Sequence, residues 1–263
     1  MANVFFDKGV KGLLLGTIIM DGSTHVIKAA CLDENAVTPV DTMEFFSEFS
    51  AGIVGTPVDI SSNLSLDATS GEIRCASFQT GVLSGNTVES ILIYRDTGND
   101  STSPVLCTAS VSITPNGAAN FTISFAGNKL VGISAAGFFH KTFGKLASGA
   151  TTLNAATVNA QLVTAAPAFT EEFMAEISNT TGTAVDVGSF SVLDAGAAFL
   201  PSAPTTFTSI TATVTHAVLF IDTGDSATDL PIGAVSISPA ITLSAADFEL
   251  GYPGTGALQF ASA

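Results

Sequence analysis

The sequence predicts a mainly β protein, α+β within each unit, made of two tandem related sandwich- or barrel-like domains with one or two short helices apiece. Three observations lead there. Thr- and Val-rich runs are separated by clusters of Gly, Asn, Asp, Ser and Pro, the punctuation of β-strands and turns. Short apolar segments at helical spacing precede those runs. Segments of the first half recur, in order, in the second.

The repeats define the organisation. Thr42-Met-Glu-Phe-Phe-Ser-Glu-Phe-Ser50 returns as Thr170-Glu-Glu-Phe-Met-Ala-Glu-Ile-Ser178, identical at five of nine positions. Ile91-Leu-Ile-Tyr-Arg-Asp-Thr-Gly98 returns as Ala217-Val-Leu-Phe-Ile-Asp-Thr-Gly224, and Val111-Ser-Ile-Thr-Pro115 as Val235-Ser-Ile-Ser-Pro239. Phe5-Phe-Asp-Lys8 corresponds to Phe138-Phe-His-Lys141. An ordered series of four is the mark of a tandem duplication, with domains over 1–135 and 136–263. Two units are too few for a solenoid.

Each unit is expected to open with a helix, Val4 to Leu15 in the first copy. A strand follows, His25 to Leu32, matched by Thr157 to Val163. A second short helix comes next, capped by Asp41 or Thr42 and by Thr170 in the second copy. Strands are then expected at Glu72–Phe78, Val88–Tyr94, Val105–Ile113 and Phe121–Phe125. Their counterparts are Ala184–Val192, Thr208–Val214, Ala217–Ile221, Ala234–Ile237 and Phe248–Tyr252. The bulky Phe45, Phe46, Phe49, Phe169 and Phe173 are expected in the core, a minority of them at a partner surface.

Composition narrows the function. Charged residues make up 12% of the 263 residues, about half the usual share. Such a mildly polar surface suits a protein packed into an assembly. The net charge is −15, and no Lys or Arg follows Lys145. Nucleic-acid binding draws its affinity from clustered basic side chains, so direct contact with DNA or RNA is not expected. No apolar run near the start is long enough for a membrane span, and no secretory signal is expected. Cys31, Cys75 and Cys107 lack metal or redox spacing and read as buried apolar residues of a protein made in a reducing cytoplasm.

No constellation for catalysis emerges. His25, His140 and His216 stand apart and lack the paired spacing of zinc ligands. Nucleophile-elbow, phosphate-loop and dinucleotide-binding motifs are missing. Sugar clefts favour aromatic platforms, whereas this chain has no Trp and only Tyr94 and Tyr252. A non-enzymatic protein is expected, with no catalytic, cofactor or metal residues. The one local motif of interest is the Asp-Thr-Gly turn, Asp96–Pro104 and again Asp222–Pro231. Its oxygens could hold calcium, but Asp as a backbone acceptor and Gly at positive φ favour a plain connection between strands.

At Met1-Ala-Asn-Val, Lys8–Leu15, Glu44-Phe45-Phe46-Ser47-Glu48, Ile91–Gly98 and Thr102-Ser-Pro-Val105, the sequence resembles a family of small structural proteins of tailed bacteriophages. The whole first unit matches in order, and the second is a degenerate copy in which Tyr94-Arg95 becomes Phe220-Ile221. The resemblance implies a virion component and names no catalytic residue. The expected role is a capsid decoration or cement protein on the outer shell. It would be homo-oligomeric with a trimer favoured, and would bind the major capsid protein. A tail or neck component is the alternative, and a receptor-binding adhesin a more distant one.

Overall fold

A computed structural model describes residues 6–67, 72–125, 129–131, 139–154, 156–192 and 199–252. The protein is mainly β, with several antiparallel sheets. The expected domain boundary at 135/136 lies outside the described residues.

The first half opens with helix α1 (Asp7–Leu14), then strands β1 (Ile27–Leu32), β2 (Ile53–Asp59), β3 (Leu64–Asp67) and β4 (Glu72–Cys75). It continues with β5 (Phe78–Val82), β6 (Val88–Arg95), β7 (Val105–Ile113), β8 (Asn120–Ile123) and β9 (Lys129–Val131). The central sheet has the order β2-β1-β6-β7, flanked by a β3-β4-β9 sheet and a β5-β8 pair. Alternate residues of β1 and β6 point to opposite sides. Ile27, Ala29, Cys31, Ile91 and Ile93 pack on one side with Ile73, Cys75, Phe78 and Ile123. On the other side Ala30, Leu32, Leu92 and Tyr94 lie under Phe6, Phe46 and Phe49. With both faces covered, β1 and β6 read as nearly continuous apolar runs.

The second half begins with α2 (His140–Ala147) and strands β10 (Val158–Val163), β11 (Thr180–Asp186), β12 (Phe190–Val192) and β13 (Phe199–Pro201). Two long strands close it, β14 (Thr205–Ile221) and β15 (Leu230–Leu250). Its main sheet has the order β11-β10-β14-β15, the same path as the first. Both ladders shift register at equivalent points, between Ala29 and Cys31 and between Ala160 and Leu162. Gly55 and Gly182 take positive φ just there, and a Cβ on either would press on Leu83 or Ile210.

Several elements depart from the sequence reading. The expected helices capped by Asp41, Thr42 or Thr170 are 3-10 segments, Phe46–Gly52 and Met174–Glu176. Their caps come from within. Glu48 Oε2 accepts from the Glu44 and Phe45 amides at 2.6 and 2.8 Å, and Glu176 Oε2 from the Glu172 amide at 2.7 Å. The run Glu72–Phe78 is two strands broken at Ala76-Ser77, and Ala184–Val192 spans parts of β11 and β12. Four expected strands of the second half merge into β14 and β15, because bulges absorb the interruptions. Val214 faces Ile241 while His216 faces Ser236, so residues 237–240 leave the ladder opposite Thr215. Pro239, which has no N–H to donate, sits in that bulge.

The two helices lie between the halves and are shared by them. Val10 and Leu14, one turn apart on α1, belong to the core of the second half with Leu146, Val158 and Leu219. Phe143 and Ala147, the matching pair on α2, belong to the core of the first half with Leu13, Ile18 and Ile93. Backbone bonds repeat the reciprocity. The Met20 amide donates to the Ala147 carbonyl at 2.8 Å, and the Leu153 amide to the Leu14 carbonyl at 3.1 Å. Gly16 abuts Thr152, and Gly149 abuts Ile19, both at positive φ. These contacts pair off with the halves interchanged, which is the pattern of an isologous, two-fold interface.

Helix α1 also lies hard against β7. A Cβ on Gly9 would fall on the Val105 carbonyl oxygen and 2.6 Å from Leu106 Cα. Alanine would gain about 1 kcal/mol of helix propensity over glycine, but backbone atoms cannot yield as a side chain would. Gly9→Ala is therefore expected to destabilise the protein by about 1–3 kcal/mol. Gly81→Ala, whose Cβ meets nothing within 4 Å, should stay within about 0.5 kcal/mol. Paired thermal melts check the difference. Phe143→Ala should cost about 3–5 kcal/mol by leaving a cavity. Although Phe143 belongs to the second half in sequence, amide exchange should accelerate first in β1 and β6.

Candidate interaction site

Two Asp-Thr-Gly turns link the last two strands of the main sheet in each half, β6 to β7 and β14 to β15. Asp96 Oδ1 accepts from the Gly98 amide at 2.8 Å, and Asp222 Oδ1 from the Gly224 amide at 2.7 Å. Both glycines take positive φ, which only a residue lacking Cβ adopts freely. The Thr97 and Thr102 hydroxyls meet at 2.7 Å, as those of Thr223 and Thr228 do at 2.5 Å. Asn99 Oδ1 receives the Ser101 amide, and Asp225 Oδ1 the Ala227 amide. The turn closes on the 3-10 segment beside it. The Phe46 amide donates to the Ser103 carbonyl and the Met174 amide to the Asp229 carbonyl, each at 2.9 Å.

Two supports of this geometry differ in chemistry and do the same work. Asp96 Oδ2 is held by Lys28 Nζ at 2.5 Å, whereas Asp222 Oδ2 is held by Asn159 Nδ2 at 2.7 Å. The Thr97 amide donates to Ser103 Oγ at 3.0 Å, whereas the Thr223 amide donates to Asp229 Oδ1 at 2.7 Å. Asp229 is buried, and Thr223 Oγ1 gives it a second donor at 2.9 Å. The shape of the turn is kept while the residues that enforce it change. Carboxylate oxygens so engaged are not turned toward a common cation, which favours the strand connection over the calcium loop.

Beside each turn a lysine of the shared helices clasps an acidic corner. Lys8 Nζ lies 2.7 Å from Glu44 and 4.1 Å from the Phe45 ring centre. Lys145 lies 3.0 Å from Glu172 and 4.6 Å from the Phe173 ring centre, with Lys141 also 3.4 Å from Glu172. Phe45 is thus a rim residue rather than core, while Phe46 and Phe49 are buried as expected. Phe46 stacks on Tyr94 with centroids 4.1 Å apart. Phe169 and Phe173 are partly buried.

The remaining candidates are dispersed. His25 Nδ1 accepts from the Ile19 amide at 2.9 Å, and His216 Nδ1 lies 3.1 Å from Thr215 Oγ1; His140 opens α2. Burial pushes the thiols of Cys31 and Cys75 up to about 11 and that of Cys107 to about 12, so they are poor nucleophiles. Among the described residues no three His, Cys, Asp or Glu side chains converge as a metal site, and no helix is long and apolar enough to cross a membrane. A shallow depression of about 250 Å³ is lined by Asp33, Gly52, Ile53, Gly55, Ser84 and Asn86. Asp33 there is already bound by Asn86 Nδ2 at 2.6 Å and by the Asn35 amide at 2.9 Å.

No family model, curated protein or solved structure matches the chain.

Titration follows from these contacts. Burial, and then the nearby Arg95 charge, hold His25 below its ordinary value against the pull of Asp21. The unfolded chain therefore takes the proton more readily. The stability His25 contributes is complete above about pH 6.5 and declines as pH falls below it. Asp96, lowered by Lys28, and Glu172, lowered by Lys145, contribute stability above about pH 4 that is lost below it. Melting temperature against pH should show two acid limbs. His25→Gln, which keeps an acceptor, should shrink the upper limb alone, and Asp96→Asn the lower one.

Proposed function

We propose that this chain is a structural protein of a bacteriophage virion, a capsid decoration protein that binds and stabilises the major capsid shell. The observation that carries the reading is the isologous pairing of two similarly built halves, which makes one chain a rigid two-headed binder. We read the halves as a tandem duplication. The shared sheet order, the equivalent bulges and the turn preserved through changed supports favour that origin. Each central sheet packed against its smaller sheets is, in this reading, a sandwich-like unit. Weak contacts at two heads act together, so avidity gives firm attachment without a large patch on either. The sparse charge suits a subunit enclosed among other proteins, and the resemblance of the first unit to phage structural proteins supports a place in the virion. The acidic balance disfavours adhesion to released DNA.

The pairing also bears on the alternative. Subunits in a tail tube meet head to tail, through heterologous contacts that repeat around the ring. A duplicated chain filling two successive ring positions would join its halves in that way. Reciprocal contacts such as Met20 to Ala147 and Leu153 to Leu14 close on themselves instead. This favours decoration over the tube.

Purified particles of the producing phage, probed by mass spectrometry and by gold-labelled antibody against the chain, test the proposal. Label distributed over the heads is the expected result. Label confined to neck or tail would replace decoration with the tail reading, and absence from particles would refute a virion role. Hydrolysis of peptidoglycan or polysaccharide by the purified chain would overturn the non-enzymatic reading.

A further inference from the structure

The two-fold relation inside the chain has a consequence for what it can bind. An object with a two-fold axis presents any surface feature twice, at positions exchanged by a half turn. A partner touched by one half can be touched identically by the other only if the partner sites are themselves exchanged by the same half turn. A three-fold or six-fold partner offers no such match to a single chain. Resting on the decoration reading, we infer that the chain is a fused dimer that sits across a two-fold or local two-fold axis of the shell. It clamps a symmetric pair of capsid subunits, one to each half.

Three observations support this. The surface through which a single unit would pair with its like is already occupied within the chain. Val10 and Leu14 fill the core of one half, and Phe143 and Ala147 that of the other. The bonds across the axis come as a mated set, Met20 to Ala147 with Leu153 to Leu14. The exposed turns at Gly98–Asp100 and Gly224–Ser226 keep one shape in both halves, so a half-turn pair of sites meets the same shape twice. The sequence alone favours three chains around a three-fold axis. The internal pairing instead gives each chain two equivalent heads without further copies.

The partner surface should carry basic groups. The turn tips expose Asp100 in one half and Asp225 in the other, and Lys and Arg are absent beyond Lys145. Each member of the capsid pair is thus expected to offer Lys or Arg toward a tip.

Cryo-electron microscopy of the intact particles decides the matter. Symmetry is to be relaxed around each two-fold, because the two halves would otherwise be averaged onto each other. The expected map has one chain astride each occupied axis, one chain for every two capsid subunits there, and both halves in contact. Chains clustered about three-fold axes, or attached by one half only, would overturn the fused-dimer inference while leaving decoration intact. Particles with no such density on the head would end both.

Discussion

The interlocking of α1 and α2 is the constraint on which the rest depends. Each helix supplies two apolar residues one turn apart to the core of the opposite half and a leucine, Leu13 or Leu146, to its own. Burying a side chain the size of Leu or Phe is worth about 1.5–3 kcal/mol. Three such residues, Val10, Leu14 and Phe143, cross between the halves with the smaller Ala147, and their loss would open both cores at once. Neither sheet is therefore complete without the other half, and the two must hold one fixed relation. That fixed relation sets the spacing between the two turns and, on the proposed reading, makes the pair of similar sheets a clamp. A flexible linker would leave the second head to find its site at an effective concentration set by the linker's length.

Around this centre, shape is conserved by different means in the two halves. An ammonium group holds Asp96, and a side-chain amide holds Asp222. A serine hydroxyl receives one threonine amide, and a buried carboxylate receives the other. The buried carboxylate is tolerable because two donors satisfy it, where an unpaired one would be costly. The lysine clasps follow the same logic. Lys8 reaches Glu44 from the first turn of α1, whereas Lys145 reaches Glu172 from the last turn of α2 with Lys141 beside it. These pairs are partly exposed, so each adds about 0–1 kcal/mol and serves more to orient the corner than to hold it.

Much of this was legible in sequence, for reasons that can be named. Val105–Ile113 is a strand with the expected bounds, since a β-rich run stands between a Ser-Pro turn and a Pro-Asn-Gly turn. The first helix and the central strands β1, β6 and β10 stand within a few residues of expectation for similar reasons. β2 escaped notice because Gly55 and Pro57 are poor strand formers; an edge position tolerates the proline, and the bulge requires the glycine. Asp41 and Thr42 looked like caps because of their residue type, while the residue that caps is Glu48, three beyond Phe45. The helix exchange had no signature at all. Val10 and Phe143 are apolar in either arrangement, and only the fold decides whose core an apolar face enters. The turns were found by repetition, but their closure by Ser103 in one half and Asp229 in the other was hidden, because unlike residues do like work.

The half turn that relates the two units does not relate their charges. The first half sets six basic residues against thirteen acidic, whereas the second sets two, Lys141 and Lys145, against ten. A surface used by both halves on two equivalent sites would be under equal demand in each. The second half keeps only Lys141 and Lys145, and both are held by Glu172, so its attachment does not rest on cations. Lys28 and Arg95 make the same point locally. Lys28 is replaced by Asn159 with its bond kept, and Arg95, whose guanidinium donates to the Thr17 carbonyl at 2.6 Å, gives way to Ile221. Lys8, Arg74, Lys28 and Arg95 of the first half act within the molecule, on Glu44, Asp67, Asp96 and Thr17. What both halves expose at the turns is acidic and polar. If the chain binds through features common to its halves, attraction runs from its carboxylates to a basic partner, and the second half, whose two lysines are both held by Glu172, meets the least opposition.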